Sequence, residues 1–596
     1  MSRITNLLDV RRWVAADSYE FEHAKPEAAA SGTLKALTAA ALLAAFLVIG
    51  LNQVIVHDNI EEYDIPTYLM EAVRIAEFGG VSAWPGMVVS GEYPQALQNP
   101  LYILAITPFA ELDTDFMISA KLVSLFFGAL AMLVGYYFIQ RFYSHLVAAI
   151  ASAGFVMTHL YVEWSTLVAC ESLLVLLSIG GILAVMKGFT ARRFWVLAGF
   201  LFGLGYLTKI TALFLLPGFA VAVLLTLRAE AFRCKECYLF VAAFLIGSSP
   251  FLINNAIVYG NPVYHVTIDF MFNQGGAIEY HETSMQVGSM IPRYAAEEEG
   301  GGSATILPSS GRVSELISVA LKRLPREMAL FAETLSPWAL RWAPLPARWA
   351  FGFLVLGLFI VGLRREKNIG AQIYVAATVI FFVLVLTLHR PLPRYLLPVT
   401  FFVWVYAAMG LLYLTGKYAT KLNKRQLNQG LAAAVLAACL GTIAVFGLTK
   451  PIGKNPIARV GNSAELPPHR AELLDWMRRN IGAEDRYVEG PNVRWLLEDG
   501  VYLFPSGPVR ESRDEFRAFV DRHGVKYVIA EMDSMHKFRY RGGLIDRQLK
   551  FQGVLDFDQQ AGIRELDVPD NWHKVLEDQN GIVEYIVYEV KPRSES

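Results

Sequence analysis

Residues 167–187 read LVACESLLVLLSIGGILAVMK, a run with two charged side chains, Glu171 and Lys187. A helix needs roughly 20 mostly apolar residues to cross the hydrocarbon core of a bilayer, so this run predicts a transmembrane helix. The pattern recurs along the chain and predicts about eleven transmembrane helices in total. The predicted spans lie near 34–56, 117–140, 146–162, 167–187, 194–208, 210–227, 238–257, 349–363, 370–388, 395–415 and 430–448.

The overall composition supports a polytopic α-helical membrane protein. The chain has 596 residues, of which 54% are hydrophobic and 18% are charged. Soluble globular proteins carry roughly 25% charged residues, so a soluble enzyme is excluded. The net charge of -1 provides no bulk basicity for binding nucleic acid. Four cysteines in a chain of this length exclude a disulfide scaffold.

Lysine and arginine cluster in alternate loops, and this alternation predicts the orientation because positively charged loops stay in the cytoplasm. The clusters are Arg141; Arg192 and Arg193; Arg228, Arg233 and Lys235; Arg364, Arg365 and Lys367; and Lys417, Lys421, Lys424 and Arg425. The N-terminus is therefore predicted to be cytoplasmic, in a multi-pass protein of the cell membrane. The predicted outward segments are 57–116, 163–166, 258–348, 389–394 and everything after 448.

The composition becomes soluble after the last predicted span. Helical patterns at 470–480 and 513–522 alternate with β runs at 526–530 and 582–588, which predicts an extracytoplasmic α/β domain. The predicted domains are a cytoplasmic segment 1–33, a transmembrane domain 34–448 with outward loops 57–116 and 258–348, and the C-terminal domain 460–596.

Charged residues gather at the predicted outer ends of spans that are far apart in the sequence. Charge at a membrane boundary is costly, so such residues are candidate site residues. They are Asp58, Glu61, Glu62 and Asp64 in the first loop, Glu163 and Glu171 at the third-to-fourth junction, Lys209 at the fifth-to-sixth junction, and His389, Arg390 and Arg394 at the ninth-to-tenth junction. Their convergence suits a reaction at the outer leaflet, since transporters place ionisable groups near mid-bilayer.

Most of these residues also have a purely structural interpretation. Asp64 precedes an amphipathic pattern and could simply cap a helix. Lys209 could extend its ammonium group to the interface, and Arg390 and Arg394 could anchor the span ends. The functional alternative for these cations is phosphate binding. Glu171 is harder to explain structurally, because a buried acid requires a partner.

Several short motifs occur in a consistent order on the predicted outer side. They are Asp64-x3-Tyr68-x3-Ala72 with Gly79-Gly80, Asn99-Pro-Leu-Tyr102, Glu171 at the start of the fourth span, Leu204-Gly-Tyr-Leu-Thr-Lys209, and Arg394-Tyr-Leu-Leu-Pro398. In this order they resemble the GT-C superfamily of polytopic glycosyltransferases, which includes the lipid A aminoarabinose and galacturonic acid transferases and the protein O-mannosyltransferases. Many members have adjacent Asp-Glu where this chain has Asp64-Ile65, so both Asp58 and Asp64 are candidates for the general base.

The resemblance implies inverting transfer of a sugar from a polyprenyl-phosphate-linked donor to an acceptor hydroxyl on the outer face. The implied catalytic residues are Asp64 and Glu171, and the implied phosphate-binding residues are Lys209, Arg390 and Arg394. Candidate additional site residues are Asp58, Glu62, Tyr68, Tyr102 and His389. A divalent cation is a candidate cofactor, because some members bind one. The implied partners are the lipid-linked donor, membrane lipid, and an acceptor glycan, lipid or protein.

Other functions fit parts of the same pattern. A transporter or flippase of a lipid-linked saccharide would use the same cations to hold the phosphate. A polymerase or ligase of surface polysaccharide would transfer a larger donor glycan, and a non-catalytic scaffold would bind a partner through the outer domain. The single Cys234-Lys-Glu-Cys237 motif is weak evidence for zinc or redox chemistry, and we interpret it as incidental.

Overall fold

A computed structural model describes most of the membrane region and part of the C-terminal region. The described residues are 31–56, 65–91, 93, 99–110, 116–263, 278–281, 292–294, 321, 324–325, 327–337, 340, 343–388, 393–418, 430, 433–435, 437–438, 441, 468–482, 484–488, 501–504, 513–531, 555–558, 562–565, 568–577 and 585–592. They fall into two compact units. One contains the described residues of 1–58, 116–249 and 311–460, and the other those of 59–115, 250–310 and 461–596.

The membrane region is built from helices. In chain order they are α1 (Gly32–Val56), α2 (Ile65–Glu77), α3 (Trp84–Ser90), α4 (Pro100–Ala110), α5 (Phe116–Phe142), α6 (His145–Met157), α7 (His159–Trp164), α8 (Glu171–Gly188), α9 (Arg193–Thr208), α10 (Leu215–Leu227), α11 (Lys235–Tyr259), α12 (Leu345–Leu363), α13 (Ile369–Leu388) and α14 (Leu397–Tyr418). Two short 3₁₀ helices, Ile210–Phe214 and Arg228–Arg233, flank α10. A third, Pro393–Leu396, precedes α14.

Seven helical segments of the described residues are long and apolar enough to cross a membrane. They correspond to α1, α5, α8, α10 with its flanking turns, α11, α12, and α14 with the turn before it, while α4, α6, α9 and α13 supply shorter apolar stretches. Large apolar side chains on these helices are exposed, among them Phe126, Ile246 and Leu354 at 60–65% exposure. Such a surface is suited to lipid contact. The chain is therefore a multi-pass membrane protein, as predicted.

The predicted spans agree closely with these helices. Ten of the eleven fall on described helices, with differences of a few residues at their ends. The fifth span is the short helix α9, and the third span is divided into α6 and α7 by an extended residue at Thr158. The eleventh predicted span, 430–448, lies almost entirely outside the described residues.

Glycines allow neighbouring helices of the first unit to approach closely. A Cβ atom on Gly199 of α9 would lie 2.1 Å from the carbonyl oxygen of Phe240 in α11, and one on Gly203 would lie 2.4 Å from that of Phe244. The same holds where α12 crosses α14, because a Cβ on Gly410 would lie 2.1 Å from the Leu358 carbonyl oxygen. Small residues at such crossings are typical of membrane helix packing, where van der Waals contact replaces the hydrophobic effect.

Two loops that carry lysine and arginine clusters meet around one carboxylate. Glu366, in the loop between α12 and α13, accepts hydrogen bonds from the hydroxyls of Tyr143 and Tyr406, the latter at 3.0 Å. Its other oxygen accepts the backbone N–H of Asn368 at 2.9 Å. The α5–α6 and α12–α13 loops therefore lie on the same side of the bundle, as the alternation of positive charge predicts.

The segment between α1 and α5, which the sequence predicts to face outward, contributes α2, α3 and α4 to the second unit. The amphipathic pattern that follows Asp64 in the sequence is the helix α2, which ends at Glu77. Gly79 and Gly80 follow it with φ angles of 108° and 76°, a left-handed region that favours glycine. These two glycines end the helix and allow the chain to turn into α3.

The C-terminal domain is α/β, as predicted. Its helices are α15 (Pro468–Asn480) and α16 (Arg513–Arg522), and the strands of the chain are β1 (Ile278–His281), β2 (Pro292–Tyr294), β3 (Arg486–Val488), β4 (Val501–Phe504), β5 (Tyr527–Glu531), β6 (Leu555–Asp558), β7 (Gly562–Glu565), β8 (Trp572–Glu577) and β9 (Tyr585–Val590). Seven strands form a mixed sheet in the order β2-β1-β4-β3-β5-β9-β8, and β6 pairs with β7. Strand β3 is parallel to β4 and to β5, and β9 runs antiparallel to β5.

Two strands of this sheet come from the loop between α11 and α12 and not from the C-terminal region. Strand β1 pairs antiparallel with β4, with Glu279 opposite Leu503. The sequence did not predict this pairing. Because the strands of one sheet cannot lie on opposite sides of a bilayer, this loop and the C-terminal domain are on the same side of the membrane.

Side chains of the C-terminal domain fix its helices to the sheet. The ring of Trp476 in α15 packs edge-on against Tyr527 of β5, with centroids 5.4 Å apart, and the Tyr527 hydroxyl donates to the Asn480 carbonyl. Next to β5, Lys526 donates a hydrogen bond of 2.7 Å to Asp485. This hydrogen bond raises the pKa of the Lys526 ammonium group.

Candidate functional site

Three charged side chains from separate helix ends meet in the first unit. The Nζ atom of Lys209 lies 2.6 Å from Oε1 of Glu171, and Nε of Arg394 lies 3.5 Å from the same oxygen. Their side chains are 14%, 3% and 12% exposed, respectively, so the cluster is largely shielded from solvent. We call these three side chains the charge cluster.

Breaks in the helical backbone position the three residues. Lys209 follows α9 with φ -163° and ψ 139°, an extended conformation that separates α9 from the next 3₁₀ turn. Glu171 is the first residue of α8, where the positive end of the helix dipole stabilises a carboxylate. Arg394 lies in the short 3₁₀ helix Pro393–Leu396, directly after a proline-rich segment.

Two aromatic rings border the cations. The guanidinium carbon of Arg394 lies 4.5 Å from the centroid of the Trp164 ring and 5.5 Å from that of Tyr395. The Lys209 ammonium nitrogen lies 5.1 Å from the Tyr395 ring centroid. Cation–π attraction of this kind offsets part of the cost of removing a cation from water.

The sequence did not predict the roles of Trp164 and Tyr395. An aromatic residue near a span end is usually an interface anchor, and these two have no feature in the sequence that separates them from the others. The signal that could have identified them is position, because Trp164 lies in the third-to-fourth junction and Tyr395 directly follows Arg394.

The charge cluster has the chemistry of an anion-binding site. Two cations share one carboxylate, so the three side chains carry a net charge of +1. A buried charge is stable only when it is paired, and both cations contact the carboxylate of Glu171. Lysine and arginine are the side chains that bind phosphate groups most effectively.

The second unit contains two of the candidate additional residues, Tyr68 in α2 and Tyr102 in α4. Both are fully buried, and their rings meet edge-on with centroids 5.2 Å apart. Asn99, three residues before Tyr102, is also buried. This contact joins α2 to α4, so the two motifs of the first outward loop pack against each other.

Several predicted site residues lie outside the described residues. They are Asp58, Glu61, Glu62 and Asp64 in the first loop, and His389 and Arg390 before α14. Their assignments therefore stay predictions. Among the residues that the structure does describe, no group of three or more His, Cys, Asp or Glu side chains is placed to hold a metal ion.

A comparison with protein families and solved structures gives the following matches. Residues 98–254 match the family model described as dolichyl-phosphate-mannose-protein mannosyltransferase, and this segment contains Asn99–Tyr102, Glu171 and Lys209. ArnT from Cupriavidus metallidurans bound to undecaprenyl phosphate is 13% identical with a TM-score of 0.47, over 94% of this chain and 98% of that chain. The Archaeoglobus fulgidus oligosaccharyltransferase in complex with Zn and sulfate is 13% identical with a TM-score of 0.46, over 89% of this chain and 74% of that chain. No curated protein matches the chain.

Proposed function

We propose that the chain is a membrane glycosyltransferase of the GT-C superfamily, which transfers a sugar from a polyprenyl-phosphate-linked donor to an acceptor hydroxyl; the match of residues 98–254 to a mannosyltransferase family model supports this proposal. The observation that carries this proposal is the charge cluster, in which Lys209 and Arg394 both contact the carboxylate of Glu171. The matched family is described by its use of dolichyl-phosphate-mannose, a sugar on a polyprenyl phosphate. A donor of this class supplies an anion for the cluster and a lipid tail for the surrounding bilayer.

Lys209 and Arg394 bind the donor phosphate in this proposal. When the bond between the anomeric carbon and the phosphate oxygen breaks, negative charge accumulates on the leaving phosphate. Fixed cations in a water-poor site stabilise that charge as it develops, which lowers the barrier. Arg390, four residues before Arg394 in the sequence, is proposed to contribute to the same site.

The acceptor is activated by a carboxylate of the first outward loop, with Asp64 as the first candidate and Asp58 as the second. The carboxylate takes the proton from the acceptor hydroxyl while the oxygen attacks the anomeric carbon from the face opposite the phosphate. The configuration of the sugar is therefore inverted, and polyprenyl phosphate leaves. Asp64 directly precedes α2 in the sequence.

The reaction takes place on the outer face of the cell membrane in this proposal. The alternation of positively charged loops is the basis for the orientation, and two of these loops, α5–α6 and α12–α13, meet at Glu366. The pairing of β1 with β4 supports a shared location for the loop 258–348 and the C-terminal domain. The C-terminal domain is proposed to help bind the acceptor, which is a glycan, a lipid or a protein.

The test is a transfer assay with the purified protein in liposomes, using mannosyl polyprenyl phosphate labelled in the sugar as the first donor. Glycosyl transfer predicts that the labelled sugar passes to acceptors from a membrane extract while free polyprenyl phosphate accumulates. The Lys209→Gln variant should lose this transfer. Movement of the lipid across the bilayer with its sugar still attached, and no transfer, would instead identify a transporter. Transfer of long glycans and not of single sugars would identify a polymerase or ligase.

A further inference from the structure

Five exposed cations meet at the end of α9 that lies opposite to the charge cluster. They belong to the beginning of α9 and to the segment that joins α10 to α11. One contact brings these two parts of the chain together, because Nη1 of Arg192 lies 4.0 Å from Sγ of Cys234. We call the five side chains the basic patch; they are Arg192, Arg193, Arg228, Arg233 and Lys235.

The basic patch lies where the lipid-facing surface of α11 begins. Phe232 is 71% exposed and Tyr238 is 60% exposed, and the Tyr238 hydroxyl donates a hydrogen bond of 2.6 Å to the Phe232 carbonyl. The exposed side chains that follow, from Leu239 to Ile246, are all apolar. Aromatic rings at such a boundary lie at the level of the lipid headgroups, so the cations beside them lie at the level of the lipid phosphates.

The cations of this patch are available to an external anion. In the part of the chain that the structure describes, no carboxylate forms an ion pair with Arg228 or Arg233. Cations of other positively charged loops instead lie against rings of the bundle, since the guanidinium carbon of Arg365 is 3.7 Å from the centroid of the Tyr413 ring. The basic patch therefore has charge that the described fold does not use.

The backbone at Arg228 supports a role for its side chain outside the fold. This residue ends α10 with φ 53° and ψ -129°, and it is the one non-glycine residue with a positive φ among the described residues. Its backbone N–H donates to the Leu224 carbonyl, which a glycine would do equally well. Arginine is strained in this conformation and glycine is not, and strain of this kind is typical of binding sites.

We propose that the basic patch binds the phosphate of an anionic phospholipid, with Phe232 and Tyr238 against the glycerol and acyl groups of that lipid. The loops that carry the patch are predicted to be cytoplasmic, and anionic lipids of the cytoplasmic leaflet attract clustered lysine and arginine. The bound lipid bridges the beginning of α9 and the segment before α11. This site is separate from the charge cluster, so it stands or fails independently of the proposed function.

The experiment is native mass spectrometry of the full-length protein in detergent, titrated with phosphatidylglycerol or with phosphatidylcholine of the same acyl chains. The wild type should bind its first phosphatidylglycerol at least about tenfold more tightly than its first phosphatidylcholine, on the scale of two or more cations near an anionic headgroup. Arg228→Gln/Arg233→Gln should lose most of this preference, while its affinity for phosphatidylcholine stays unchanged.

The matched control removes two exposed cations from a different positively charged loop. Arg364→Gln/Arg365→Gln alters the loop between α12 and α13 and should keep the wild-type preference. Equal losses in the two double variants would show that positive charge attracts the lipid without a specific site, and the inference would be wrong.

Replacing Arg228 with glycine separates lipid binding from a structural role. Glycine accepts the φ and ψ of this position, so the thermal midpoint of Arg228→Gly in phosphatidylcholine nanodiscs should equal or exceed that of the wild type. Its affinity for phosphatidylglycerol should fall about fivefold, the scale of one cation near an anionic headgroup. A lower midpoint together with an unchanged affinity would show that Arg228 serves the fold and has no place in the site.

A soluble phosphate is the alternative ligand of the same chemistry, and the ring of Phe232 distinguishes the two. Phe232→Ser should weaken phosphatidylglycerol binding severalfold, because a lipid loses the apolar contact that a free phosphate does not make. Inorganic phosphate at the same concentration as the lipid should leave the lipid bound. Displacement of the lipid by inorganic phosphate, with no effect of Phe232→Ser, would identify a site for a soluble anion and overturn the proposal.

Discussion

The two cations of the charge cluster differ in how they are held, and this difference gives them separate roles. Lys209 is a compact charge at 2.6 Å from Glu171, whereas the guanidinium of Arg394 is planar and lies against Trp164. An ammonium group provides attraction without strict geometry, while a guanidinium binds phosphate through two parallel hydrogen bonds. We therefore expect Lys209 to supply mainly charge and Arg394 to supply orientation as well.

Replacing Arg394 with lysine tests this division of roles. Arg394→Lys keeps the charge but loses the bidentate geometry and the flat contact with Trp164. We expect donor affinity to fall about tenfold, on the scale of one charge-assisted hydrogen bond. The measurement is the dissociation constant of the methyl diester of a short-chain polyprenyl phosphate, which carries one negative charge as the donor does. Wild-type affinity in Arg394→Lys would show that charge alone matters at this position.

Replacing Asp64 with asparagine tests the general base. Asn caps a helix about as well as Asp, so the variant keeps the fold and removes only the basicity. Sugar transfer should fall by a factor of about 100 or more while the donor still binds, on the usual scale for a general base. Asp58→Asn is the matched control. If Asp58→Asn is inactive and Asp64→Asn is active, the general base is Asp58, six residues upstream.

At the scale of elements, the sequence predicted the helices well and the charge cluster only in part. Long apolar runs identified the spans because a helix that crosses the bilayer needs roughly 20 mostly apolar residues, which can be read directly from the sequence. The alternation of loops correctly grouped Glu171, Lys209 and Arg394 at one end of the spans. Their pairing around one oxygen could not be predicted, since it depends on the helix packing and on the extended backbone at Lys209.

The close crossing of α9 and α11 should be sensitive to a single methyl group. Gly199→Ala would place a Cβ about 2.1 Å from the Phe240 carbonyl oxygen, and backbone cannot yield as a flexible side chain does. We expect the free energy of unfolding to fall by about 1–3 kcal/mol, a decrease that is typical of overpacking. Thermal unfolding in detergent measures this loss of stability. Gly357→Ala is the control, because no atom would lie within 4 Å of a Cβ at that position. Equal midpoints for the two variants would show that α9 and α11 are not in close contact.

At the scale of the whole molecule, the C-terminal sheet is completed by a distant part of the chain. Strands β1 and β2 belong to the loop between α11 and α12, and β1 extends the sheet at β4. The sequence patterns predicted an α/β domain but not this contribution. A strand of four residues has too little periodicity to identify, and its partner lies more than two hundred residues away.

A designed cross-link tests both the pairing and the orientation. Glu279 and Leu503 are direct partners in an antiparallel ladder, where opposite Cα atoms lie about 4.5–5.5 Å apart and can be bridged by a disulfide. The Glu279→Cys/Leu503→Cys variant should therefore cross-link spontaneously in an oxidising extracytoplasmic compartment, as detected by mass spectrometry of non-reduced peptides. Ile278→Cys with Leu503→Cys should not, because Ile278 is paired with Phe504 in the ladder and not with Leu503. A reduced Glu279→Cys/Leu503→Cys pair that cross-links only after oxidant is added to broken cells would place the domain in the cytoplasm.

The central claim is that the charge cluster binds the phosphate of a lipid-linked sugar, and one dissociation constant tests it most directly. The measurement is binding of a short-chain polyprenyl phosphate to wild-type protein, to Lys209→Gln, and to Lys187→Gln, which alters a lysine in the last turn of α8. Loss of one charge-assisted contact should weaken binding to Lys209→Gln by at least about tenfold, while Lys187→Gln binds as the wild type does. Equal dissociation constants for all three proteins would contradict the account.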